Sequence, residues 1–243
     1  MSDPSSPSDL ERLLAVQGHD THADQLRHRR DSLEERTTLA EANQRLAATD
    51  AEIARLEAAR DELAREQKRE EDAAASFVER AALAERQLYG GTVSNPRELQ
   101  ALQDDIASLK RHQSGHEDRV LELMEEIEPL QSEIDAQRVT RRETEAAVSA
   151  AQAGLLAAET AVDAELAEVE AQRAGSIDGI DEGLVGEYEK LRVPLGGVAI
   201  ARLTGNRCDG CHLTLSAVEV DRIRHLPPDE LVNCEECGRM LVH

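Results

Sequence analysis

From Leu99 to Ile134 one stripe of residues returns every three or four positions without a slip. It reads Leu99, Leu102, Ile106, Leu109, Gln113, His116, Val120, Leu123, Ile127, Leu130 and Ile134. The stripe continues more weakly through Val148, Leu155, Val162 and Val169. A helix with this heptad period can bury its apolar edge only along another helix, so the stretch predicts a coiled coil. The preceding segment carries a looser version: Leu26 and Leu33, then Leu39, Leu46 and Ile53, then Leu56 and Leu63. Alanine fills many of the remaining seam positions, which lets two helices approach closely. Composition agrees: with one Phe, two Tyr, no Trp and 32% charged residues, a conventional globular core of this length is not available.

The two patterned halves are joined by a marked turn. Tyr89-Gly90-Gly91-Thr92-Val93 supplies glycines for a left-handed helix end. Asn95-Pro96-Arg97-Glu98 then offers an N-cap, a first-turn proline and a capping-box glutamate. Helix one over about 8–88 and helix two over about 97–174 have nearly equal length, which predicts an antiparallel intramolecular hairpin. Each arm would be on the order of 115 Å long at the rise of an α-helix. Folding about residue 92 sets two segments without apolar residues, Arg65 to Asp72 and Lys110 to Arg119, opposite each other. Gln113 and His116 then form a polar layer in the seam, which weakens the rod but fixes register, or lets it flex. The reading of His116 is a hydrated seam residue, with metal ligation or a pH switch as the alternatives. Pro129 predicts a kink or local opening of helix two.

The cysteines number four, as Cys208-Asp209-Gly210-Cys211 and Cys234-Glu235-Glu236-Cys237 with 22 residues between the pairs. Two C-x-x-C turns at such spacing form a tetrahedral cage for one zinc ion, and a closed four-thiolate site is structural because no position remains for water. Gly210 and Gly238 lie in or beside the turns, where positive φ is often needed. Disulfides or a redox C-x-x-C fit poorly: no signal peptide opens the chain and no βαβ pattern surrounds either pair. His212 and His243 are spare candidates, and neither is assigned. Around the cysteines, Val198 to Leu203, Leu213 to Leu215, Glu230 to Val232 and Met240 to Val242 read as strands. Ser216-Ala217-Val218-Glu219 reads as a capping box opening a helical turn through about Arg224. So small a unit predicts folding coupled to metal, so that stripping zinc melts it and leaves the hairpin helical.

The fold class expected is mainly α: a long antiparallel coiled-coil helical hairpin followed by a small C-terminal α+β zinc ribbon. The expected domains are a disordered tail at 1–7, the hairpin at 8–174 with its tip at 89–96, a linker and short helix at 175–195, and the C4 ribbon at 196–243. A net charge of −22 disfavours broad nucleic-acid binding, because an acidic surface repels phosphate. The basic clusters Arg27-His28-Arg29-Arg30 and Arg138 to Arg142 read as solvated helix faces among acids. No apolar run approaches the length of a membrane span, and the opening Met-Ser-Asp-Pro-Ser-Ser-Pro lacks the regions of a targeting peptide, so a cytoplasmic protein is expected.

The chain resembles the bacterial C4-type zinc ribbon proteins that carry an N-terminal coiled-coil hairpin. The resemblance rests on Tyr89, Asn95-Pro96-Arg97-Glu98-Leu99, Tyr188 with Leu191-Arg192, and Gly196-Gly197. In the ribbon it rests on Cys208-x-Gly210-Cys211, Leu215, Ile223-Arg224 and Cys234-x-x-Cys237-Gly238-Arg239-x-Leu241. The family usually has glycine where Asp209 stands and a proline or apolar residue around Ser216-Ala217, departures that do not touch the ligands. The resemblance implies a non-enzymatic adaptor. Some relatives act as chaperones or partners of an alternative sigma factor, others are linked to secretion or flagellar export, and one branch to messenger RNA. From the residues, protein partners engaged through hairpin and ribbon are the first expectation, with the chain a monomer or dimer. Nucleic-acid binding through Arg202, Arg207, Arg222, Arg224 and Arg239 is the alternative, opposed by seven acids in 196–243 and the lack of aromatics. An enzyme is expected least, since no nucleophilic constellation, phosphate-cradling loop or open metal site is found.

Overall fold

The structure, a computed structural model, describes residues 8–91, 93–227 and 230–243. The expected tail at 1–7 and Thr92 of the tip lie outside the described residues. Among the described residues five helices and four short strands follow in the order α1 (Asp9–Asp31), α2 (Glu34–Tyr89), α3 (Pro96–Ile177), α4 (Glu182–Arg192), β1 (Ile200–Thr204), β2 (Arg207–Cys208), α5 (Ala217–Arg224), β3 (Val232–Asn233) and β4 (Met240–Val242). Two compact units result: one holds the chain up to Thr37 together with Gln152–His243, the other Thr38–Ala151. No described helix is long and apolar enough to cross a membrane.

In the Thr38–Ala151 unit, α2 and α3 run antiparallel. Glu57 pairs with Arg138 at 2.7 Å, Glu66 with Arg119 at 2.9 Å and Glu85 with Lys110 at 2.7 Å, so rising numbers on one helix meet falling numbers on the other. The seam read from the heptads faces inward: Ile106, Leu109, Leu123 and Ile134 are buried, and none of the other stripe positions is exposed. Small residues line the facing side, where Ala81 and Ala84 pack with Ile106 and Leu109. The polar layer also forms. His116 Nδ1 lies 2.5 Å from a Glu70 carboxylate oxygen, and the single Phe77 ring stacks on both His112 and His116 at centroid distances of 5.2 and 5.3 Å. His116 is thus a partnered seam residue. The predicted opening at Pro129 does not occur; α3 stays helical through it, with Pro129 on the exposed side.

At the tip end, Gly91 adopts φ +72, the left-handed conformation expected of a helix terminator. Asn95 caps α3 by accepting the Arg97 N–H at 3.0 Å.

The first arm is two helices, where one continuous helix over 8–88 was expected. The reason is visible in the stripe: Leu26 to Leu33 and Leu39 to Leu46 are heptad steps, whereas Leu33 to Leu39 is one residue short. An unbroken helix would swing the later leucines off the seam. The chain instead breaks at Ser32 and Leu33. The Ser32 hydroxyl and N–H both satisfy the His28 carbonyl, at 2.8 and 3.0 Å, and the Arg36 guanidinium satisfies that of Arg30 at 3.2 Å.

In the other unit α1 packs antiparallel to the last turns of α3. The basic cluster is absorbed there, Arg27 on Glu170, Arg29 on Glu165 and Arg30 on Asp163. The four strands form one sheet in the order β2-β1-β4-β3, with β1 and β4 parallel and the outer pairs antiparallel. Alternate residues of a strand face opposite sides, and both sides are covered. Ile200, Met240 and Val242 meet Leu10, Leu13 and Val16 of α1 and Tyr188 of α4. Ala201 and Leu241 face Val220 and Ile223 of α5 and the cysteines. The start of the chain therefore builds half of the core under the cysteine region. Leu213 to Leu215 is not a strand; Thr214 makes a single bridge to Arg207.

Candidate metal centre

Each cysteine pair sits in a knuckle at the end of a sheet strand. β1 and β2 lead into the first; β3 enters the second and β4 leaves it. The knuckles share one hydrogen-bond plan. The His212 N–H donates to the Cys208 carbonyl at 2.8 Å, and the Gly238 N–H donates to the Cys234 carbonyl at 2.8 Å. In both, the residue four positions after the first cysteine is left-handed, His212 at φ 64 and Gly238 at φ +76. Gly210 is not. Its hydrogen matters for space, since a Cβ there would lie 2.5 Å from Arg239 Cδ and 3.0 Å from the Ala201 Cβ. The sequence reading, which looked to Gly210 and Gly238 for positive φ, thus missed His212, where the residue type gives no signal.

The fold brings Cys208, Cys211, Cys234 and Cys237 together, their sulfurs all within 4.8 Å of one another and Cys211 Sγ 3.9 Å from Cys234 Sγ. A tetrahedron of Zn–S bonds of about 2.3 Å has edges of about 3.8 Å, so the thiols fit zinc. The histidines left unassigned, His212 and His243, are not part of the cluster. Burial pushes the Cys208 thiol up, and pushes Cys234 up to about 12. Burial opposes ionisation of Cys237 too, but the backbone N–H and guanidinium of Arg239, with the neighbouring thiols, outweigh it and bring Cys237 down to about 7. Burial thus works against the thiolate form at Cys208 and Cys234. A dication at the centre is what would ionise the set, which is the chemistry that a thiol cage contributes to metal binding.

Arg239 ties this centre to the sheet, donating to the carbonyls of Val198 at 2.9 Å and Leu195 at 3.2 Å. Behind the sheet lies a buried polar cluster that the heptad reading did not find. Asp20 of α1 accepts from the Tyr188 hydroxyl at 2.7 Å and from Arg173 Nε at 2.6 Å, with Arg192 at 3.4 Å. The signal for it was an acid at a position where α1 buries its face.

A helical hairpin carrying a four-thiol knuckle pair defines a class of coiled-coil zinc-ribbon proteins. Residues 16–196 match the model of the CT398-like coiled coil hairpin domain and residues 207–241 that of the C4-type zinc ribbon domain. The chain belongs to this CT398-like hairpin and C4 ribbon family. Uncharacterised proteins from two strains of Mycobacterium tuberculosis are 33% identical over 165 residues, covering 65% of this chain and 64% of their own length. A solved structure from Mycobacterium smegmatis superposes with a TM-score of 0.85 at 25% identity, covering 97% of each chain. CT398 from Chlamydia trachomatis shares the fold, with a TM-score of 0.71 at 21% identity over 96% of each chain.

Proposed function

We propose that this protein is a non-enzymatic adaptor of the cytoplasm, in which one structural Zn2+ on Cys208, Cys211, Cys234 and Cys237 holds a head for binding other proteins, together with the hairpin. The observation that carries this reading is the closed thiol set. Four sulfurs fill a tetrahedral shell and leave no open position for water or substrate, so the metal organises structure and the function is assigned to surfaces. Four reduced thiols also suit a reducing compartment. Exposed apolar side chains on the hairpin, such as Tyr89 at 82% and Leu83 at 52%, support protein contacts. By resemblance, partners from transcription or from secretion and flagellar-type assemblies are the first to test.

The nucleic-acid alternative draws less support. Of the five arginines it needs, Arg202 pairs with Glu11, Arg222 with Glu219, Arg224 reaches the Gly205 carbonyl and Arg239 is spent on Val198 and Leu195. An affinity capture from the native host, with full-length wild type, Cys234→Ser and Tyr89→Ala chains and with and without nuclease, tests the reading. The adaptor predicts a defined protein set that survives nuclease and is depleted by at least one variant. A set that disappears with nuclease, joined by filter binding of RNA or DNA with a steep salt slope, would replace it.

A further inference from the structure

Gln17 lies on α1 with 9% of its surface exposed, and its side-chain partners are up to 183 residues away. Its oxygen accepts from the N–H groups of Ala199 at 2.7 Å and Ile200 at 2.8 Å, and its amide nitrogen donates to the Ile200 carbonyl at 2.7 Å. A carboxamide carries its acceptor and its donor on separate atoms side by side, whereas a hydroxyl puts both roles on one oxygen and an ionised carboxylate has no donor. Ala199 and Ile200 are fully buried, so without Gln17 two N–H groups and one carbonyl at the start of β1 would lose their partners.

The hydrogen bonds lead on from there to the thiols. The Ala199 carbonyl accepts from the Met240 N–H at 2.8 Å, which sets the parallel register of β1 on β4. The carbonyl of the adjoining Arg239 accepts from the N–H of Cys234 at 2.8 Å. Further along β1, the Arg202 carbonyl accepts from the Asp209 N–H at 3.0 Å, inside the first knuckle. Both knuckles therefore hang from a strand pair of three matched residues whose entry Gln17 holds. The segment before that entry is the glycine pair Gly196 and Gly197 at φ +69 and +91, which Arg239 brackets through the Leu195 and Val198 carbonyls while Gln17 holds the strand that follows.

We infer that Gln17 is a positioning residue of the metal centre: α1 sets the strand register at which the four thiols converge, so metal affinity depends on a residue far upstream of every ligand. This rests on the zinc reading above. It also joins the docking of α1 and the loading of metal into one equilibrium, in place of a ribbon that melts alone.

The test uses the full chain as wild type, Gln17→Met, which keeps size and helix propensity but loses all three bonds, and Ile180→Val, which trims the same core but removes no hydrogen bond to β1. Zinc affinity is read by competition with a chromophoric chelator, and site geometry by the absorption of the Co2+ form. Gln17→Met should bind zinc about tenfold or more weakly, the scale of a lost supporting contact around a metal. It should also change the cobalt ligand-field bands while Ile180→Val leaves both readouts unchanged. Wild-type affinity and bands in Gln17→Met, or an equal loss in Ile180→Val, overturn the inference. A wild type that shows no four-thiolate cobalt spectrum overturns the zinc reading itself, and the inference with it. Should Gln17→Met fail to fold, hydrogen exchange on the wild type decides. Chelation should deprotect amides of 10–20 together with 199–202 and spare 99–134; continued protection of 10–20 overturns the proposal.

Discussion

The hydroxyl of Tyr188, on α4, donates a 2.7 Å hydrogen bond to the carboxylate of Asp20, on α1, and both residues are buried. Asp20 also takes the charge of Arg173 from the end of α3. One short acid thus joins three helices behind the sheet that carries the cysteines. Tyr188→Phe keeps the packing and removes one donor from a buried carboxylate, so unfolding in urea should show a loss of about 1–2 kcal/mol.

The same bond gives a pH signature. Burial, and then the bond to Asp20, push the Tyr188 hydroxyl above its ordinary value of 10.0. A group whose folded pKa is raised stabilises fully below its unfolded pKa and loses that contribution as pH rises beyond it. Wild-type stability should therefore decline as pH climbs past 10. The decline should be shallower in Tyr188→Phe; equal slopes would show that the hydroxyl does not couple.

His212 holds φ 64 with a full side chain, a conformation that costs L-residues roughly 1–2 kcal/mol. Gly238 occupies the equivalent place in the second knuckle without that cost. His212→Gly should raise the melting temperature of the metal-loaded head and leave metal stoichiometry unchanged. A lower melting temperature would mean that the imidazole makes a contact worth more than the strain.

Gly210→Ala tests the opposite kind of glycine. The new methyl would press on Arg239 Cδ, and Arg239 cannot swing away without releasing Val198 and Leu195. Weaker zinc retention against a chelator is expected, with helicity of the hairpin unchanged by circular dichroism.

In the hairpin, Phe77→Leu keeps an apolar side chain but removes the face on which His112 and His116 stack. Aromatic pairing of this kind is worth about 1 kcal/mol, and thermal unfolding followed by helicity should register a loss of that order.

These relationships show what was legible beforehand and what was not. The seam from Leu99 to Ile134 and the two knuckles are local patterns: period and spacing alone place Leu123 inward and Cys208 beside Cys211. The break at Ser32 was present as the short step from Leu33 to Leu39, although a loose stripe did not demand it. Leu10, Leu13 and Val16 were not legible as head residues. Their helical spacing is that of any amphipathic helix, and the strands they cover lie near the opposite end of the chain. Gln17 and Asp20 were hidden for the same reason, since their partners are set by tertiary packing and not by neighbours in sequence.

In the proposed function one zinc ion on four cysteines holds the head. Native mass spectrometry of the full chain, purified under reducing conditions, addresses it most directly. The account predicts a mass increment of a single zinc in wild type and its loss in Cys208→Ser and Cys237→Ser alike. A metal-free wild type with an intact head, or zinc retained at full occupancy without Cys208, would contradict it.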